Sequence, residues 1–149
     1  MFFPIGDDQV KQGHRPLFTY LLILINVLIF LYQITLNDSQ ISGLFKEYGA
    51  TPSLILKSEN LHSLVSSMFL HGGWMHLIGN MLFLWVFADN IEATIGSKRF
   101  LFFYFIGGVI AALVHCFINK WSGIPCIGAS GAVSAVLGAY LVMFPSSRI

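Results

Sequence analysis

The chain has 149 residues, of which 56% are hydrophobic and only 10% charged, with a formal net charge of +1. A mean hydropathy of +0.75 and so little charge exclude an ordinary soluble domain, about a quarter of whose residues are charged. The balanced charge and the lack of a basic cluster give no sign of a nucleic-acid partner.

Four uncharged runs, 16–37, 60–88, 100–119 and 121–147, are each long enough to cross a hydrocarbon layer of about 30 Å as a helix of about 20 residues. They predict an all-α polytopic membrane protein with spans at about 17–36, 63–88, 100–118 and 128–145. A membrane β-barrel would instead show short alternating segments. Lys11 and Arg15 precede the first span as they would a secretion signal, but Tyr32–Thr35 carry no small-x-small cleavage pattern. The span is therefore read as an uncleaved anchor. With the amino terminus inside, Lys11, Arg15, Lys98, Arg99 and Arg148 lie inside, against Lys46, Lys57 and Lys120 outside, the orientation the positive-inside rule favours.

Residues 37–62 form a long outer connection with apolar pieces at Leu44, Phe45, Tyr48 and Leu54–Leu56. It reads either as a segment resting in the headgroup layer or as an ordinary loop with a short helix. The second span, within "HGGWMHLIGNMLF", carries the first polar constellation. On one continuous helix His71 and His76 are rotated by about 140°, whereas His76 and Asn80 share a face. An imidazole and an amide one turn apart are good donors to a developing negative oxygen, and inside a membrane they are costly unless they face protein or water. The alternative is that they act as interhelical polar glue. Residues 89–99, "DNIEATIGSKR", read as a short charged inner turn.

A metal is the competing use for His71, His76 and His115, with Glu92 as a base. The sequence lacks the His-Glu-x-x-His arrangement that places two ligands and a base on one helix. No metal or organic cofactor is expected, and His115 is read as a lone core histidine. Cys116 and Cys126 offer one possible pair near the outer face; they lack zinc-type spacing, and the other reading is two buried free thiols.

In the fourth span Ser130, Ser134 and Gly138 recur every four residues, a stripe that admits a neighbouring helix closely. Pro125 and Gly128 mark a non-helical entry that leaves Ser130 near a helix start, where unpaired backbone donors and the positive helix end could stabilise an oxyanion. The segment is not a hydrolase elbow, which needs Gly-x-Ser-x-Gly between strand and helix.

Taken together, "SSMFLHGGWMHLIGNMLFLWVFADNIE", "EATIGSKRFLFFYFIGG" and "GASGAVSAVLGAYLVMFP", with "YGATP" in the outer connection, resemble the rhomboid intramembrane serine proteases from about Leu17 to Pro145. The resemblance implies a rhomboid-like helical bundle in which Ser130 is the nucleophile. It implies that His76, Asn80 and the Ser130 N–H hold the oxyanion, that His71 orders the site and that Gly131 permits close contact with a later helix. Gly128 belongs to the same Gly-x-Ser-Gly motif. It further implies transmembrane protein substrates, and the inner membrane of a bacterium as location, with a cytoplasmic amino terminus.

The match departs from the family at its end. A rhomboid core has six spans, with its catalytic histidine in an Ala-His-x-x-Gly-like segment of the sixth, and none of His14, His62, His71, His76 or His115 is a good substitute. A buried serine needs an adjacent base. The chain is therefore expected to be the amino-terminal part of a longer protease, incomplete at its carboxyl end, or a truncated protein without activity. A catalytically inactive rhomboid-like scaffold or substrate-binding protein is the alternative; a transporter would require repeated halves, which are not visible.

Overall fold

The computed structural model describes residues 16–145. Lys11, His14, Arg15 and Arg148, which entered the orientation count and the search for a base, lie outside the described residues.

Among the described residues seven helices follow in chain order: α1 (Leu17–Gln33), α2 (Asp38–Tyr48), α3 (Pro52–Ile55), α4 (Ser63–Ser66), α5 (Trp74–Ile95), α6 (Ser97–Ile118) and α7 (Ser130–Met143), with a 3-10 turn at Ser67–Phe69 after α4. One isolated antiparallel bridge, Ala50 to Cys126, is the only strand-like pairing among the described residues. The α5 helix packs against α1 and α7, and α7 against α6. The core runs through Leu22 and Phe30 of α1, Leu77, Leu84 and Ile91 of α5, Phe100 and Tyr104 of α6, and Val136 and Tyr140 of α7.

The distribution of apolar surface is inverted relative to a soluble bundle. Of the most apolar stretch of α6 only 17% is buried, and Phe102, Ile110, Phe117 and Ile118 point away from the protein. Water would penalise such surface at about 25 cal/mol per Å², whereas lipid tails do not. Among the described residues α6 alone is long and apolar enough to cross a membrane; α1 and α7 are shorter apolar helices. The α5 helix matches α6 in length but carries His76, Asn80, Asp89, Asn90 and Glu92.

Two local expectations are corrected. The uncharged run 60–88 is not one helix: it breaks after Phe69, passes through extended Leu70 and restarts at Trp74. Gly72 and Gly73 there offer no side chain and have the highest backbone entropy to lose in a helix. The charged stretch 89–99 is not an open turn, since α5 continues to Ile95 and only Gly96, at φ 87°, separates it from α6. Glu92 is the reason: it is 0% exposed and accepts from Phe18 N–H (3.1 Å), Thr19 N–H (2.9 Å) and the Thr19 hydroxyl (2.8 Å). It thus caps the start of α1, which has no cap of its own, and places a carboxylate at the positive end of that helix. In the outer connection, α2 is fixed by a capping box between Asn37 and Gln40 and buries no residue.

Candidate functional site

Ser130 is the first residue of α7, and no side chain caps that helix, so its first-turn N–H groups lack intrahelical partners. The segment before it is anchored rather than loose. Cys126 and Ala50 exchange two backbone hydrogen bonds of 2.9 Å, Ser53 N–H donates to Ser122 O (3.1 Å), and Gly128 N–H donates to Ser67 O (2.8 Å). Gly128 has φ 119°, a conformation open to glycine and strained for other residues. Ser130 is exposed and its hydroxyl makes no hydrogen bond among the described residues, while Ser134 Oγ donates to Ser130 O (2.7 Å).

From the other side, α5 delivers His76 from its first turn and Asn80 one turn later. A methyl group placed on Gly128 would lie 2.5 Å from His76 Nε2 and 3.7 Å from Asn80 Nδ2. The imidazole and the amide therefore meet the backbone of the Gly-Ala-Ser turn where only glycine leaves room. Asn80 is buried, and its Nδ2 has no hydrogen-bond partner among the described residues. An amide donor buried without an acceptor is expensive, so it is held there by the surrounding packing and is available to an incoming oxygen.

His71 arrives by a route the helical wheel does not anticipate. It lies outside α5, and the loop carries its ring edge-on to the His76 ring, at 5.1 Å between centroids and 68° between planes. His71 is 1% exposed, and neither ring nitrogen makes a hydrogen bond among the described residues. Its backbone is held by Gln33, a residue that sequence reasoning passed over; a polar side chain in register with Thr19 and Asn26 at the end of a mostly apolar helix was the available signal. Glu92 was weighed only as a base beside a metal and otherwise read as part of a charged turn, so its role as the cap of α1 was missed.

A model of the Rhomboid domain matches residues 58–149, well over half of the chain. The chain belongs to the rhomboid family. It is 32% identical over 142 residues to "Rhomboid protease GluP" of Bacillus subtilis (strain 168), covering 95% of this chain and 27% of that protein. It is 34% identical over 88 residues to "Presenilin-associated rhomboid-like protein A, mitochondrial" of Danio rerio, covering 58% and 23%. It is 32% identical over 96 residues to "RHOMBOID-like protein 5" of Arabidopsis thaliana, covering 64% and 31%. The chain thus spans between 23% and 31% of the length of these relatives.

Beside the Ser130 turn this rhomboid has a cavity of about 230 Å³ lined by Ser67, Gly108, His115, Cys126, Ser130 and Ser134, among others. His115, expected to be a lone core histidine, is half-buried on the cavity wall. Both cysteines are free, and burial pushes the Cys126 thiol above its ordinary pKa, away from the thiolate form that makes a cysteine reactive. Among the described residues no group of three or more His, Cys, Asp and Glu side chains could hold a metal ion.

The small residues of α7 divide between two faces. Gly131 was expected to receive a later helix, yet the close approach at that position is to α6: an added methyl would fall 2.7 Å from Ala111 Cβ. Ser130, Ser134 and Gly138 form an adjoining, exposed stripe, and a methyl on Gly138 would meet nothing within 4 Å.

Proposed function

We propose that this chain supplies the nucleophile and the oxyanion-binding groups of an intramembrane serine endopeptidase that cleaves transmembrane segments of other proteins. The observation that carries the reading is the convergence on Gly128 of the His76 ring, the unpartnered Asn80 amide and the start of α7 at Ser130. The name "Rhomboid protease GluP" of a relative aligned over 95% of the chain supports the same chemistry.

In the proposed reaction Ser130 Oγ adds to the scissile carbonyl carbon and the C=O electron pair moves onto oxygen. Asn80 Nδ2, the His76 ring and the Ser130 N–H donate to that oxygen, whose charge exists only along the reaction path, so their effect falls on the transition state. A base takes the Ser130 proton and returns one to the leaving amine; water then releases the acyl group. The base is a histidine of a later span in the longer protein. A substrate helix must loosen locally first, because an intact intrahelical bond occupies the carbonyl. In this reading the chain crosses the inner membrane of a bacterium four times, with its amino terminus in the cytoplasm, and the reaction uses no metal or organic cofactor.

One observation favours a second reading of the base: His115 shares a cavity with Ser130. The deciding experiment is turnover of a transmembrane reporter by the full-length protein, with fluorophosphonate labelling measured in parallel. The proposal expects both to vanish in Ser130→Ala and both to survive in His115→Ala. Loss in His115→Ala at unchanged fold would move the base to α6. Normal turnover by Ser130→Ala would refute Ser130 as the nucleophile, whereas absence of turnover and labelling in the wild-type protein would leave the inactive scaffold as the surviving alternative.

A further inference from the structure

The last residue of α1 reaches the site through a contact separated by 38 positions in sequence. Gln33 ends a helix whose buried face is Thr19, Leu22, Asn26, Phe30 and Gln33. Its side-chain amide donates from Nε2 to His71 O (2.8 Å) and accepts on Oε1 from His71 N–H (3.1 Å). A primary amide facing a residue's N–H and C=O reproduces the pair of bonds a neighbouring strand would make. Gln33 is 4% and His71 1% exposed, so without Gln33 both backbone groups would be buried and unsatisfied. One turn earlier on α1, Phe30 packs edge-on against Trp74, with centroids 4.9 Å apart.

These two attachments straddle Gly72 and Gly73. The glycine pair has little hold of its own: a methyl on Gly73 would meet nothing within 4 Å, and one on Gly72 only Ile127 and His76, at 3.8 and 4.0 Å. The path from His71 to α5 is therefore imposed from α1. Its product is the edge-to-face packing of His71 on His76, whose ring in turn lies against Gly128.

We infer that Gln33 is a positioning residue of the site, setting the orientation of the His76 ring by clamping the backbone of His71. Its effect on turnover rests on the reaction proposed above, whereas its effect on the ring does not. Gln33→Met keeps an unbranched side chain of similar length and removes both bonds; Gln33→Glu keeps the acceptor for His71 N–H. In the full-length protein with labelled imidazoles, Gln33→Met should shift the ring resonances of His76 as well as those of His71, and Gln33→Glu should shift them less. Asn26→Ala, on the same buried face but bonded only to Leu22 O of its own helix, should leave the His76 ring unmoved.

Gln33→Met should lower kcat by about 10- to 100-fold with KM within about twofold, the signature of misplaced transition-state donors. In a His76→Ala background the same substitution should have little further effect, since its route to the reaction is already gone. Unmoved His76 resonances in both Gln33 variants, or a full additive loss in the His76→Ala background, would overturn the inference. A wild-type protein without peptidase activity would overturn the proposed function, while the ring resonances would still decide the role of Gln33.

Discussion

Gly128→Ala tests the geometry of the site most directly because two independent penalties fall on one added carbon. The residue sits at φ 119°, where a non-glycine residue costs about 1–3 kcal/mol. The new methyl would lie 2.5 Å from His76 Nε2, against ordinary contact from 3.4 Å, so the ring must retreat by roughly 0.9 Å or the turn must yield, at about 1–3 kcal/mol for overpacking. Unfolding in detergent should therefore show a loss of about 2–6 kcal/mol. A donor displaced by about 1 Å is expected to reduce turnover about 100-fold. The two penalties separate in a His76→Ala background, which vacates the space: there Gly128→Ala should keep the backbone share and shed the overpacking share. Wild-type stability and turnover in Gly128→Ala would refute the reasoning, and an undiminished loss in the His76→Ala background would refute the contact with the ring.

Asn80→Ala should lower turnover by about 10²–10³-fold, yet change unfolding stability by less than about 1 kcal/mol, because its Nδ2 makes no hydrogen bond to lose; fluorophosphonate labelling should persist. Glu92→Ala should destabilise the fold by about 2–4 kcal/mol in denaturant unfolding, since it strips the cap from α1 and leaves two N–H groups unpaired; an effect below about 0.5 kcal/mol would contradict the cap. In a cysteine-accessibility map, Ser42→Cys should label from outside the cell and Ser97→Cys from inside, and the reverse pattern would sink the proposed orientation. Finally, Ser130→Ala should leave stability unchanged, as the hydroxyl it removes is unbonded and exposed.

The parts of the site that were legible in sequence are those encoded by local pattern. Pro125 and Gly128 announce a helix start at Ser130, and a spacing of four puts His76 and Asn80 on one face; the structure has both features. The helical wheel failed at His71 because it assumes an unbroken helix, whereas the glycine pair and the Gln33 clamp turn the chain back so that His71 meets the ring it was expected to face away from. Glu92 failed for a related reason. In a charged stretch a carboxylate reads as solvated, and only the fold reveals that the orphan N–H groups of α1, 73 and 74 residues earlier, end at its oxygens. Long-range pairings between a side chain and a backbone leave no periodicity to read.

The same interruptions that defeat the helical wheel explain how a membrane helix bundle can hold polar chemistry at all. An unbroken helix satisfies its own backbone and presents only side chains; a helix start presents free N–H groups and a positive end. Two such beginnings meet here. The α5 helix starts at Trp74 and α7 at Ser130, neither has a side-chain cap, and Gly72 beside Ile127 brings their lead-in segments into contact. In the proposed reaction the carbonyl oxygen becomes negative between these two positive ends, with Asn80 Nδ2 already desolvated beside it, so little reorganisation is left to oppose the charge. In that reaction the glycines at 72, 73 and 128 would act through the backbone they interrupt, and a substitution that restored helix across residues 70–73 should abolish turnover while leaving Ser130 exposed.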